Sequence, residues 1–205
     1  MRVVMAVIAA LLCATPAVAA DLRVSVTTPS GKAVRDAVVM VYPKAGAPKR
    51  PIRFSWPYLV VQKNMRFDPF VLVVPVGAEV AFPNRDNTRH HVYSFSPARP
   101  FQLKLYGHDE TRVVKFDKAG VIALGCNIHD NMTAFIRVVD TPWAAKTGAN
   151  GEAVIPDAPA GAVTVAVWHP YLKGGRDLTR QLASASGAVK VTADLRAPAA
   201  RRHGY

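Results

Sequence analysis

Short apolar runs broken by turn residues recur along the whole chain. Residues 22–27 alternate apolar and polar with period two, and Pro29-Ser30-Gly31-Lys32 turns them into a second apolar run at 37–42. A period of two puts one side of a strand into a core and leaves the other outside. After a stretch rich in Pro, Lys and Arg at 43–57, runs follow at 58–62, 70–74, 79–82, 91–95, 101–106, 111–116, 121–124 and 133–139. Eight strand candidates in about eighty residues is the spacing of an all-β sandwich or barrel. No segment keeps a helical period for long without a Pro or Gly. Beyond residue 140 the texture shifts: a turn at 147–151, a short strand at 152–155, a second turn at 156–161, then strands at 163–168 and 188–192. The tail at 197–205 is Ala, Pro and Arg without an apolar pattern, and is expected to fray. The chain is expected to be all-β.

Residues 1–20 depart from this pattern. Met1-Arg2 is followed by an apolar run from Val3 to Leu12, and Ala17-Val18-Ala19-Ala20 supplies small residues before Asp21. That is the form of a secretory signal peptide, and the run is too short to span a bilayer. Leu12 is too bulky, and the run before it too short, for Cys13 to read as a lipid-anchored cysteine. The expectation is an exported, periplasmic protein with no transmembrane segment. Removal of the leader takes Cys13 with it and leaves one thiol, Cys126. An unpaired thiol in an oxidising compartment is either a buried small hydrophobe or a metal ligand.

Composition narrows the partners. Twenty-six basic residues against 14 acidic ones give a net charge of +12. An exported chain without interleaved basic and aromatic clusters is a poor nucleic-acid binder, so none is expected. Long-range steering toward an acidic protein partner or an anionic envelope surface fits better.

The segments on either side of 56–139 carry their own motifs: Gly31-Lys32 with Asp36-Ala37-Val38-Val39, Thr147 to Gly151, Ile155-Pro156-Asp157-Ala158-Pro159-Ala160-Gly161, and Val163-Thr164-Val165-Ala166-Val167-Trp168-His169-Pro170. Together they resemble the carboxypeptidase regulatory-like (transthyretin-like) β-sandwich. In that family the pieces follow one another closely, whereas here roughly a hundred residues intervene. The resemblance therefore implies a discontinuous regulatory-like sandwich (21–55 and 140–196) with a second unit (56–139) inserted into it or packed beside it, insertion being easiest where chain ends lie close. It implies a structural or interaction module without catalytic residues.

The chemistry concentrates in Gly125-Cys126-Asn127-Ile128-His129-Asp130-Asn131-Met132. This C-x2-H-x2-M loop joins two strand candidates and can aim a thiolate, an imidazole and a thioether at one point. Thiolate and thioether are soft donors that favour copper over zinc, and imidazole suits copper as well. A second imidazole would complete a His2Cys set with a weak axial Met, and two candidates stand upstream in Phe82-Pro83-Asn84-Arg85-Asp86-Asn87-Thr88-Arg89-His90-His91-Val92. Strand alternation puts His90 and Val92 on one face and His91, Tyr93 and Phe95 on the other. Attached c-type haem needs C-x-x-C-H, which is absent, and a catalytic Cys–His pair would need an aligned base and an oxyanion site that nothing here suggests. Without H-x-H pairs a multicopper oxidase cluster is not expected, and no enzymatic activity is.

From 58 to 139 the chain resembles the cupredoxins of the plastocyanin and amicyanin group. There a strand ending F/W-x-N leads to a liganding histidine in H-N-V, and the copper loop in its shortest form is C-x2-H-x2-M. The run through Tyr93-Ser94-Phe95-Ser96 is also similar to exported bacterial proteins loosely called methylamine-utilisation or plastocyanin-like. The resemblance implies a Greek-key β-sandwich holding one type 1 copper ion on His90, Cys126, His129 and Met132. His91, standing where the family has asparagine, either links the two ligand loops or competes as a ligand; with Asn84 and Asn127 it is a candidate support behind the ligands. His108, His169 and His203 are expected to be structural or solvated, with His169 on the surface. The implied function is single-electron transfer between protein redox partners, such as a cytochrome or dehydrogenase. Copper storage or delivery and an envelope interaction module are the alternatives.

Overall fold

The computed structural model describes residues 20–48 and 51–197. The expected leader through Ala19, the tail from residue 198 and His203 lie outside the described residues. Sixteen strands follow in order: β1 (Ala20–Thr27), β2 (Val38–Pro43), β3 (Val61–Gln62), β4 (Phe67–Asp68), β5 (Val71–Pro75), β6 (Ala78–Pro83), β7 (His90–Ser94), β8 (Phe101–Tyr106), β9 (Thr111–Phe116), β10 (Gly120–Cys126), β11 (Thr133–Val139), β12 (Ala144–Lys146), β13 (Glu152–Ala158), β14 (Val163–Trp168), β15 (Leu178–Leu182) and β16 (Gly187–Thr192). The protein is all-β. No helix among the described residues is long and apolar enough to cross a membrane.

The strands stack in four layers, and the apolar positions show why. The outermost sheet, β13-β1-β16, faces the sheet β12-β2-β14-β15. Between them lies a core of Leu22, Val24, Val39, Val41, Ile155, Val163, Val165 and Val189 with their neighbours, every second residue of each strand. The third sheet, β5-β11-β10-β7-β8, packs against the β6-β9 ladder and the short β3-β4 hairpin over Phe82, Phe116, Ile122, Leu124, Ile136 and Val138. The two middle sheets press together through Val38, Met40, Ala166 and Trp168 on one side and Val71, Val73 and Val139 on the other. Strands β2 and β5 are therefore covered on both faces. This is why VVMV and VLVV are unbroken apolar runs where β1 alternates. Strands β3–β11 supply the third and fourth layers, and β1, β2 and β12–β16 the first and second.

Two further details tighten the junction of the middle sheets. Strand β5 is an edge strand, and its outward carbonyls are capped by side chains: Trp56 Nε1 donates to Val73 O and Lys146 Nζ to Val71 O, both at 2.8 Å. Capping an edge in this way closes it to further strand pairing. Across the same junction the Arg137 guanidinium meets the Asp177 carboxylate at 2.6 Å and lies over the Trp168 ring.

The turn expected at 156–161 begins later than its prolines suggest. Strand β13 continues to Ala158 through an irregularity, with Asp157 left-handed (φ 48°) and the register against β1 shifting between Ala20 and Leu22.

Candidate metal centre

The site is built at one end of the third sheet. His90 opens β7, and its strand alternates as expected: His90, Val92 and Ser94 face the core while His91 and Tyr93 face outward. Cys126 closes β10 and is paired with Val92 across the antiparallel ladder, which brings it beside His90. Both residues are buried, and Cys126 Sγ lies 3.7 Å from His90 Nδ1. His129 sits in the turn that follows, its ring 5.1 Å from that of His90 between centroids and inclined at 64°. One ligand atom from each of His90, Cys126 and His129 lies within 4.8 Å of the others. A backbone bond from Met132 N to His129 O (3.0 Å) closes the turn and carries Met132 into the same core cluster as Cys126, where it is buried.

These spacings suit a first-row metal ion. Bonds of about 2.3 Å to sulfur and about 2.0 Å to nitrogen, meeting at roughly 120°, separate the two donor atoms by about 3.7 Å. His129 Nδ1 is buried without a hydrogen-bond partner, the condition of a nitrogen whose partner is an ion. A thiolate, two imidazoles and a neighbouring thioether form a donor set suited to copper.

Of the two histidines left open by the sequence, the structure brings His90 to the cluster and not His91. The His91 ring is turned outward and packs edge-on against Tyr93, centroids 6.5 Å apart; its Nε2 is buried without a partner. His91 does link the two loops, but through its backbone: its carbonyl accepts from Asn127 N at 3.1 Å. Asn127 thus contributes its main chain, and its side chain is exposed. Asn84, fully buried just after β6, staples the 84–88 loop. Its Nδ2 donates to Thr88 O (2.9 Å) and Tyr106 O (3.2 Å), and its Oδ1 accepts from Asp86 N (2.9 Å). Beneath it Gln62 Nε2 reaches the carbonyls of Phe82 and Pro83 and the Tyr106 hydroxyl. Burial pushes the Tyr106 phenol up to about 12, so it stays protonated and donates to Phe82 O.

The sequence reading missed Asp86. Its Oδ2 lies 2.8 Å from His90 Nε2. Burial raises this carboxyl, but bonds from His90 and from the N–H groups of Met65 and Asn64 outweigh that and leave it below the usual carboxylate range. A spacing of four residues to His90 is the only trace it leaves in the sequence. Gly125 is a second unforeseen part: the Tyr93 ring lies across it, and a Cβ there would stand 2.7 Å from Tyr93 Cζ. Of the remaining histidines, His108 is half exposed, paired with Asp109 and touching the Asp86 carbonyl. His169 is buried, contrary to the expected surface position, with the Asp36 carboxylate and the Arg35 backbone beside it; its Nδ1 accepts from Tyr171 N.

No protein-family model matches the chain, and no curated protein matches it. Among solved structures it is similar to the copper-containing nitrite reductase of Thermus scotoductus SA-01, at 30% identity over 46% of this chain with a TM-score of 0.39. The chain spans 25% of that enzyme's length. It is also similar to a purple cupredoxin from Nitrosopumilus maritimus (18% identity, 40% of this chain and 98% of that one, TM-score 0.36). A reduced tryptophan-to-tyrosine mutant of amicyanin is a further neighbour (18% identity, 51% and 99%, TM-score 0.38).

Proposed function

We propose that this protein is an exported electron carrier with one type 1 copper ion held by His90, Cys126 and His129 and, more weakly, by Met132. The observation that carries this reading is the meeting of three donor atoms within 4.8 Å, one a buried thiol with no cysteine to pair with among the described residues. Copper bound there supplies a one-electron couple. The chain's own residues keep the donors still: His90 and Cys126 sit on neighbouring strands, and the Asn127–His91 and Asn84–Asp86 bonds hold the loops that flank them. A donor set that moves little between oxidation states keeps one-electron exchange fast. His129, the least buried of the three, is the side chain through which the electron leaves.

On this reading residues 56–139 are the copper domain, set into a regulatory-like sandwich made of 21–55 and 140–196. The periplasm is its compartment, and the net charge of +12 steers it to an acidic redox partner. Titration of the purified protein with Cu(II) tests the assignment. One equivalent is expected to give an intense blue thiolate-to-copper colour and narrow copper hyperfine splitting. A faintly coloured complex would instead support storage or delivery and overturn the electron-carrier reading.

A further inference from the structure

The short turn between β3 and β4 is held from outside. Lys63 and Arg66 exchange backbone bonds of 3.0 and 3.1 Å around it, and its two central residues are both left-handed, Asn64 at φ 54° and Met65 at φ 51°. Asparagine accepts that conformation readily, whereas methionine rarely does. The N–H groups of both residues donate to one carboxylate, that of Asp86: Asn64 N to Oδ1 at 2.5 Å and Met65 N to Oδ2 at 3.0 Å. The same Oδ2 meets His90 Nε2 at 2.8 Å.

Both oxygens of the Asp86 carboxyl already accept from backbone N–H groups, so toward His90 it acts as an acceptor and the proton of the ring sits on Nε2. Nδ1 then keeps its lone pair, on the side facing Cys126 Sγ. Asp86 has little freedom to do otherwise, because its backbone N–H is fixed on the Asn84 side chain, itself buried and doubly bonded. The far end of this relay is open to solvent, where Met65 is 54% exposed at the tip of the turn.

We propose that Asp86 is a positioning residue: it sets the tautomer of His90 and ties that ring to the surface turn at 63–66, so that a shift of the turn is felt at the metal donors. The inference concerns the regulation of the proposed copper site and rests on that reading only for its effect on copper. The tautomer is a property of the metal-free protein.

The test uses the full chain and the variants Asp86→Asn and Met65→Val. In the metal-free protein, 15N spectra of the imidazoles are expected to show His90 as the pure Nε2–H tautomer. Asp86→Asn should give a mixture and weaken Cu(II) binding by about 10–100-fold, the usual consequence of losing a partner behind a histidine ligand. Met65→Val leaves every side chain around His90 in place but disfavours the left-handed backbone, and should move both readouts in the same direction by less. Finding His90 protonated on Nδ1 in the unaltered protein, or unchanged by Asp86→Asn, overturns the assignment. A Met65→Val protein with unaltered His90 resonances and copper affinity overturns the link to the turn. Should the unaltered protein bind no copper while the tautomer responds as expected, the copper reading fails and the positioning role stands.

Discussion

The two pairs of sheets solve the same packing problem with different materials. Among the described residues, the buried side chains of the core between the outer two layers are all Leu, Val, Ile or Ala, with Trp143 packed at its margin. The buried polar groups nearest to it are satisfied: Thr147 Oγ1 donates to Val34 O and accepts from Ala37 N, and Thr141 Oγ1 donates to Val41 O. The inner pair instead buries Gln62, Asn84, His90, Ser94, Tyr106 and Cys126. All four side-chain nitrogen or oxygen atoms found buried without a partner among the described residues, on Gln62, His91, His129 and Arg137, belong to its strands and loops. Buried polar groups left short of partners are costly and concentrate where a chain has a task other than folding. The contrast supports placing the proposed function in the inner pair and a supporting role in the outer one.

The largest expected effect separates those roles. Cys126→Ser should abolish the proposed blue centre while the chain still folds, since the buried hydroxyl costs only about 1–3 kcal/mol if it finds no partner. Ile155→Ala, in the outer core, should cost about 2–5 kcal/mol of stability and leave copper affinity as it was. Urea melts and copper titrations on both variants read the two quantities side by side. A tenfold loss of affinity in the Ile155 variant would break the division of labour and show that the middle core couples the pairs.

Two glycines sharpen it further. Gly151 has φ +75°, and a Cβ there would stand 2.6 Å from Val26 O and 3.0 Å from Val34 N, both backbone atoms that cannot step aside. Gly151→Ala is expected to cost more than about 1 kcal/mol, with no change in the copper spectrum. At Gly125 the obstacle is the Tyr93 ring, which can swing outward. Gly125→Ala should therefore cost less stability yet change the colour of the loaded protein, because it moves the residue before Cys126. Circular-dichroism melts and visible spectra should rank the two variants in opposite orders.

Much of this was legible from residue order. Strands β8, β9, β11 and β14 begin and end where the apolar pattern says they do, because three of them keep one face in a core and one out. β15 left no such sign: none of its five residues is fully buried, and only Leu178 and Leu182 at its ends pack against the outer core, so it forms an edge mainly by backbone bonding. The parallel pairing of β1 with β16 joins segments from opposite ends of the described chain and has no local signal. The proposed donor residues stood out because Cys126, His129 and Met132 share one loop. Asp86 did not, since its partners Asn64 and Met65 lie more than twenty residues upstream and come to it only when the β3–β4 hairpin folds against β6. His169 was misplaced for a related reason. Nothing in Trp168-His169-Pro170 reveals that the distant segment at Arg35 and Asp36 covers it.

That cover makes a smaller prediction about the outer pair. Burial lowers the basicity of His169 below its ordinary value of 6.5, and the Asp36 carboxylate and a bond to the Arg35 backbone offset this only in part. The unfolded chain therefore takes up a proton here at a higher pH than the folded one does. The stability contributed by the neutral ring is complete above about pH 6.5 and declines as the pH falls below it. Between about pH 7.5 and about pH 5.5 the urea midpoint should drop less in His169→Gln than in the unaltered protein, because glutamine has no proton to gain. The copper spectrum should be the same in both proteins at each pH, since His169 belongs to the supporting pair of sheets. Equal drops would mean that the buried ring does not resist protonation, and a spectral change would mean that the outer sheets reach the centre after all.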